Sequence, residues 1–425
     1  MTDSPLRPVA PGHQLRTRCR ACDGPALDRV LELGPTPLAN AFLTTPEAFA
    51  TERVFPLDLY LCRDCGLVQL CDVIDPEILF REYLYVSGTS RTMAEHFEAY
   101  AGEVSDLLDL GPDSLVVELA SNDGTLLQHF QRRGARVLGV EPARNIAAQA
   151  RQAGIETLEV FFGRETAPAI RREHGPARAV LANNVLAHVD DTAGFLAGAA
   201  ALLAPDGLVV FEVPYVREFL ERLEYDTVYH EHLCYFAVRP LLRLCEAVGL
   251  SVVKAKRVPV HGGSIRLYAG LRQRYPEHGS DALELAAAET ADDLFSRERW
   301  SRFAAEVRAT RESLRTMLFE LQATGRRVAG YGAPAKGNTL LNYCRIGPEL
   351  VPYTIDRNPL KVGRYTPGTH LPVREYDGAL QRDRPDVVLI LAWNFADEIM
   401  AQPQERRFHE AGGRFLLPLP TPRMV

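Results

Sequence analysis

Apolar residues fall into two alternating rhythms along most of this chain. LVVELA (115–120), RVLGVE (136–141), ARAVLANNVL (177–186), GLVVFEVP (207–214) and SVVKAKRV (251–258) are short, nearly continuous apolar runs of strand length. Between them, segments such as 93–108 and 192–204 repeat their apolar positions at helical spacing. Strands alternating with helices predict a parallel sheet covered on both faces. A second such region opens with Trp300, Phe303, Val307, Leu314, Met317, Leu318 and Leu321, one stripe along a long helix. Strand runs resume at RVAGYG (327–332), PYTID (352–356), DVVLILAW (386–393) and RFLLPL (414–419), which predicts a smaller α/β sheet. Before residue 75 the rhythm breaks into turns and short strands, punctuated by Gly34-Pro35, Pro37 and Pro56. YLYVSGTSRT (83–92) reads as a bridging loop. The pattern divides the chain into blocks 1–80, 81–270 and 271–425.

Composition narrows the class. The chain has 425 residues, 46% hydrophobic and 24% charged, enough to bury several cores without disulfide staples. Its 48 basic and 55 acidic residues leave a net charge of −7, which argues against nucleic-acid binding. No apolar run reaches the ~20 residues of a spanning helix, and the first residues, MTDSPLRPVAPGHQ, lack an apolar signal core. A soluble, cytoplasmic protein without a membrane partner is expected.

Five of the eight cysteines precede residue 72. Cys19-Arg-Ala-Cys22 and Cys62-Arg-Asp-Cys65 are two C-x-x-C knuckles. Two thiolates three apart grip one metal from a tight turn, and two knuckles complete a tetrahedral four-sulfur shell suited to zinc. Four protein ligands leave no open position, so the metal is expected to be structural. The bland alternative is four core thiols. Cys71 reads as a core thiol in either case. A nucleic-acid-binding zinc ribbon remains the other use of such a site, against the charge balance.

The run Glu118-Leu119-Ala120-Ser121-Asn122-Asp123-Gly124 leads from a buried strand into a helix. Nucleotide-like ligands bind at such a point in an open α/β sheet. It lacks the glycines of the dinucleotide fingerprint and resembles motif I of S-adenosylmethionine (SAM) methyltransferases. Glu141, at the end of the next strand, stands where an acid can hold ribose hydroxyls; taken alone it could equally be a surface carboxylate. Asn183 and Asn184 end a further strand and are candidates for the adenosyl or amino-acid part. Phe162, within Phe161-Phe162-Gly163, could pack the adenine. Ser90, in the Ser87–Thr92 loop, could help hold the SAM carboxylate.

Tyr229-His230-Glu231-His232 is the strongest catalytic candidate, because histidine is the natural base near neutral pH. Its spacing is not that of H-E-x-x-H, which discounts a second metal; a hydrogen-bonded structural turn is the plain alternative. His188 follows Asn184 closely. In the last block, Gly330-Tyr331-Gly332-Ala333-Pro334-Ala335-Lys336-Gly337-Asn338 runs from strand to helix. Backbone N–H groups at that helix start, with Lys336 nearby, suit a pyrophosphate. The motif ends in Asn338 and not in K-[ST], so it is no ATP P-loop.

The knuckles, ELASNDG (118–124), ANNVLAHV (182–189), YHEHLCYF (229–236), GYGAPAKGNTLL (330–341) and IDRNPLKVGRYTPGTHLPV (355–373) occur in this order. Together they resemble the zinc-containing, SAM-dependent sugar C-methyltransferases of antibiotic deoxysugar pathways, over about residues 17–420. The resemblance implies an α/β chain with a small N-terminal zinc-binding domain, a central Rossmann-like SAM methyltransferase domain and a C-terminal Rossmann-like domain. It implies SAM and structural Zn2+ as cofactors, and a dTDP-linked 4-keto-deoxysugar as partner, held by the C-terminal domain through Tyr331, Gly332, Lys336 and Asn338. It implies methylation at C-3 with His232 as base, and Tyr229, Glu231, His188 and Tyr83 as further active-site residues. Methylation at C-5, an O- or N-methyltransferase, and a non-enzymatic zinc-ribbon interaction protein stay open, as does the oligomeric state.

Overall fold

A computed structural model describes residues 6–81, 91–260 and 262–425. Tyr83, Ser90 and most of the expected 83–92 loop lie outside the described residues. The chain forms two compact units. Unit 1 is Met1–Asp28, Tyr60–Arg217 and Leu233–Phe295; unit 2 is Arg29–Leu59, Glu218–His232 and Ser296–Val425.

Six short strands come first: β1 (Leu6–Ala10), β2 (His13–Arg16), β3 (Leu27–Glu32), β4 (Asp58–Cys62), β5 (Val68–Leu70) and β6 (Asp72–Ile74). β1, β2 and β6 form a three-stranded antiparallel sheet. The chain passes from one unit to the other within β3 and β4.

The main sheet of unit 1 follows. Its strands are β7 (Leu115–Leu119), β8 (Arg136–Val140), β9 (Thr157–Leu158), β10 (Ala177–Asn183) and β11 (Leu203–Pro214), then, beyond the short β12 (Cys234–Tyr235), β13 (Leu250–Val258) and β14 (Ser264–Leu271). The order is β13-β14-β11-β10-β7-β8-β9. β9, β8, β7, β10 and β11 are parallel, as the strand–helix alternation predicts. Helix 91–108 covers this sheet with Phe97, Tyr100, Ala101, Val104 and Leu108, which lie on one helical face and are all buried. Each large side chain so buried stabilises by roughly 1.5–3 kcal/mol.

The run 251–258, read above as one more parallel strand, is instead half of an antiparallel hairpin. β13 pairs with β14, and β14 with β11, both antiparallel. Gly262 and Gly263, at φ +93° and +131°, reverse the chain in a conformation that side chains rarely adopt. β14 went unread because Arg266 interrupts its apolar pattern. That guanidinium is 2% exposed and bonds the Glu212 carboxylate through Nε at 2.9 Å. Burial opposes the Glu212 charge, yet His96 and Arg266 hold its pKa below the ordinary value.

Unit 2 contains the long helix Arg297–Ala323, capped by Ser296 and burying Trp300, Phe303, Val307, Leu314 and Leu318 in the expected stripe. Its strands are β15 (Val328–Tyr331), β16 (Thr354–Asp356), β17 (Val373–Glu375), β18 (Val387–Ile390), β19 (Arg414–Leu417) and β20 (Arg423–Met424), ordered β17-β16-β15-β18-β19-β20. All pairs are parallel except β19–β20. The strand order reverses between β15 and β18, the place where such sheets hold ligands.

Candidate active site

The four knuckle sulfurs come together. Cys19, Cys22, Cys62 and Cys65 place their Sγ atoms within 4.8 Å of one another, with Cys19–Cys65 at 3.5 Å and Cys22–Cys62 at 3.6 Å. A tetrahedral shell with Zn–S of about 2.3 Å places sulfurs ~3.8 Å apart, so the donor set fits zinc. The neighbouring Cys62 sulfur and burial push the Cys19 thiol up to about 12, while the Cys19 and Cys65 sulfurs pull Cys62 down. Cys71 is buried outside the cluster.

The SAM candidates gather at the carboxyl end of the unit 1 sheet. After β7 the chain turns through Ala120 (φ +53°), Asn122 (φ +48°) and Gly124 (φ +76°) into helix Thr125–Arg132. Glu141 follows β8 and braces that turn: its two carboxylate oxygens accept from Asn122 N at 3.0 Å and Ala143 N at 2.8 Å. Asn184, after β10, is also left-handed at φ +54°. Around this edge, Glu118 Oε2, Ser121 Oγ, Asn183 Oδ1 and Nδ2, and Asn184 Oδ1 are buried without a hydrogen-bond partner. Unanswered buried polar atoms are costly, and a nucleoside with hydroxyls and an amino-acid tail suits these. The edge therefore fits SAM. Burial pushes the Glu118 and Glu141 carboxyls up. Phe162 sets its ring edge-on to Phe195 at 5.3 Å and lines an open pocket of ≈ 550 Å³ with Phe161, Gly163 and Asp191. His188 sits in a 3-10 turn beyond β10 with Phe80 at 5.6 Å. Burial pushes it down to about 4, so its imidazole is neutral at physiological pH.

Tyr229–His232 belong to unit 2. His232 Nδ1 lies 2.8 Å from the Thr227 carbonyl oxygen, which can only accept. Nδ1 therefore carries a proton, and in the neutral ring Nε2 is the acceptor. The Tyr229 hydroxyl donates to Nε2 at 2.8 Å. Glu231 is 3% exposed and accepts from Asn40 Nδ2 at 2.7 Å. A backbone carbonyl thus orients His232 through Nδ1. Asn40 escapes sequence reading: it lies 191 residues from Glu231, in a segment with no motif.

The glycine turn of unit 2 is more occupied than expected. Tyr331 gives its ring to the core beneath the sheet, edge-on to Tyr376, so it offers the turn its backbone and not its side chain. Gly332 takes φ +82° before helix Ala335–Cys344. Asn338 is 1% exposed; its Nδ2 donates to the Ala39 carbonyl at 2.7 Å and its Oδ1 has no partner. Lys336 is not a bare cation at the helix start. It donates to Asn394 Oδ1 at 3.1 Å and lies over the Trp393 ring. Two buried acids face its charge. Burial pushes Glu224 up to about 7 and Asp226 up to about 6, and Lys336 pulls both back. A second ammonium, Lys361, donates to the Ala333 carbonyl at 2.8 Å, lies 5.3 Å from the Phe42 ring, and feels the charges of Asp356 and Glu231. Its motif gave no hint of this role.

Family comparisons agree with this layout. Residues 19–80 match a family described as "Putative zinc binding domain", 93–255 a "Methyltransferase domain" and 259–420 a "C-methyltransferase C-terminal domain". Among solved structures, magnesium protoporphyrin IX methyltransferase of Synechocystis PCC 6803 with bound SAM is 14% identical, covering 41% of this chain and 78% of its own, with a TM-score of 0.32. A ubiquinone biosynthesis O-methyltransferase of Methylocella silvestris is 37% identical over 95 residues, 22% of this chain and 37% of its own. C-methyltransferase NovU of Streptomyces niveus is 38% identical over 407 residues, 96% of each chain. With a four-cysteine zinc-binding module, a SAM-binding sheet edge and a relative matched from end to end, the chain belongs to the SAM-dependent C-methyltransferase family.

Proposed function

We propose that the protein methylates C-3 of a dTDP-linked 4-keto-deoxysugar, in deoxysugar biosynthesis in the cytoplasm, through an enolate. The observation that carries this reading is the Thr227–His232–Tyr229 chain, in which a carbonyl orients the imidazole and the Tyr229 hydroxyl bonds its Nε2. Carbon needs such a base: a C–H bond becomes nucleophilic only when a neighbouring ketone acidifies it and a base removes the proton. The sugar and its nucleotide come from the family resemblance. Among the described residues no helix is long and apolar enough to cross a membrane.

In this reading the residues divide the work as follows. His232 Nε2 is the base. The Tyr229 hydroxyl already occupies that lone pair, so Tyr229 relays: its oxygen takes the C-3 proton as its own proton passes to Nε2. His188 and Tyr83 donate to the developing enolate oxygen. Glu231, fixed by Asn40, orients the substrate. When bound, SAM supplies an electrophilic methyl group to the carbanion. Glu118, Ala120, Ser121, Asn122, Gly124, Glu141, Phe162, Asn183, Asn184 and Ser90 hold it. The pyrophosphate is taken by the turn at Gly332 and the helix start near Asn338. Lys336 keeps charge to spare for it only while Glu224 or Asp226 is protonated. The blocks 1–80, 81–270 and 271–425 serve as zinc, SAM and sugar-nucleotide domains in this scheme.

Two measurements test it together. The enzyme incubated with a dTDP-4-ketosugar in D2O, with S-adenosylhomocysteine in place of SAM, should exchange the C-3 hydrogen. His232→Asn should keep S-adenosylhomocysteine affinity and lose both exchange and turnover by roughly 10²–10⁴. Exchange at C-5 would move the reaction to the other side of the ketone. No exchange, with methyl appearing on oxygen or nitrogen, would replace the enolate mechanism.

A further inference from the structure

A structural metal far from chemistry needs only to hold its own knuckles. Here the residue between the first two ligands reaches out of the zinc module. Arg20, flanked by Cys19 and Cys22, has a fully buried side chain. Its Nε donates to Asp190 Oδ1 at 3.0 Å, and one terminal nitrogen donates to Gln69 Oε1 and to the Leu70 carbonyl. Arg16 donates to the other oxygen of Asp190 at 2.8 Å. The Arg20 carbonyl accepts from Thr192 Oγ1 at 3.3 Å, and Asp191 caps the helix that starts at Thr192 by accepting from Gly194 N at 2.9 Å. The segment from 190 to 194 is thus pinned to the first knuckle on one side and to its own helix on the other. His188 lies two residues before Asp190, and Phe80, from the same module, packs against its ring.

We propose that Arg20 is a positioning residue for His188: the zinc knuckle fixes the backbone of Arg20, and the pair of buried Arg20 with Asp190 fixes the segment that carries the imidazole. Arg20 is buried and Asp190 only a quarter exposed, and Asp190 is held by two arginines, one on each oxygen, so the pair resists displacement better than an isolated surface pair. The first knuckle thereby has a catalytic purpose beyond holding a small domain together. This inference rests on the reading that His188 acts on the substrate.

The test uses the full-length zinc-loaded protein. Arg20→Met and Asp190→Asn break the pair from either end; the second leaves the knuckle sequence intact and covers the case in which the first fails to fold. Both should retain one equivalent of zinc and unchanged S-adenosylhomocysteine affinity. Turnover should fall roughly 10²-fold, the usual consequence of an ångström-scale misplacement, with Arg20→Lys recovering part of it. In NMR titration, His188 should move up from about 4 toward the ordinary histidine range. An Asp190→Asn variant with full zinc, unchanged turnover and an unmoved His188 titration would overturn the proposal. If His188→Asn itself keeps full turnover, the role of His188 in the reaction fails, while the titration in Asp190→Asn still decides whether the pair positions it.

Discussion

The carboxyl edges of the two sheets are built on one plan and filled differently. In unit 1, Glu141 follows the second strand, accepts from Asn122 N in the turn after the first strand, and accepts from Ala143 N two residues on. In unit 2, Asp356 ends the second strand, accepts from Ala333 N in the turn after the first at 2.7 Å, and accepts from Asn358 N two residues on at 2.8 Å. In both places the acid is first of all a brace for the turn. Its place in the sequence therefore signals a well-formed turn before it signals a ribose. Both edges keep buried polar atoms unanswered, at Glu118, Ser121, Asn183 and Asn184 in unit 1 and at Glu224, Asp226 and Asn338 in unit 2. What differs is the charge beside them. At the unit 2 edge, Lys361 bonds the turn itself and Lys336 is matched by Glu224 and Asp226. An edge whose unanswered groups are amides, a hydroxyl and a carboxyl with a raised pKa is prepared for a ligand rich in hydroxyls. An edge carrying its own lysines and acids is prepared to be tuned by protons.

Three experiments press on that contrast. Glu141→Ala should weaken S-adenosylhomocysteine binding about 100-fold, from loss of one or two charge-assisted hydrogen bonds of about 1.5–3 kcal/mol each, whereas Asp356→Ala should leave that affinity alone and lower Tm. Calorimetric titration of both variants decides it, and similar losses of affinity would erase the distinction between the edges. Lys361→Met should cost about 1–3 kcal/mol, because it leaves the Ala333 carbonyl unanswered and removes a cation near Asp356 and Glu231. An unchanged melting temperature would mean that this lysine does not hold the turn. The smallest effect concerns Glu224. Its folded pKa is raised, so the stability it contributes is fully present below the ordinary carboxylate range and is lost as pH rises through about 7. Glu224→Gln mimics the protonated form. The variant should melt like wild type near pH 4 and be more stable by about 1 kcal/mol above pH 7. A gap that does not change with pH would show that Glu224 is ionised throughout.

Much of this architecture is written in periodicity and spacing. The parallel strands, the long helix at 297–323 and the four knuckle cysteines are local signals, carried by neighbouring residues. What escaped depends on partners distant in sequence. β14 hid behind Arg266, whose charge is acceptable inside the protein only because Glu212 answers it 54 residues away. Tyr229-His230-Glu231-His232 was legible as a cluster of titratable groups. Its tautomer was not, because the group that sets it is a main-chain carbonyl. Lys336 read as an anion-binding cation because a sequence shows its charge and not the acids at 224 and 226, over a hundred residues earlier.

Neither unit is a continuous stretch of chain. Each is assembled from three separate segments, and unit 2 takes pieces from residue 29 to residue 425. A ribosome making this protein has released the SAM loop and both knuckles long before the last strands of unit 2 exist. Unit 2 therefore cannot complete itself during synthesis, although domains commonly fold as they emerge. Residues 29–59 and 218–232, which include Asn40 and the Tyr229–His232 cluster, must wait for the final 130 residues or so to arrive. The cost in folding speed of contacts so far apart in sequence is considerable. A cut after residue 295 keeps every segment of unit 1, and a cut before residue 29 keeps every segment of unit 2, but either cut leaves the other unit incomplete.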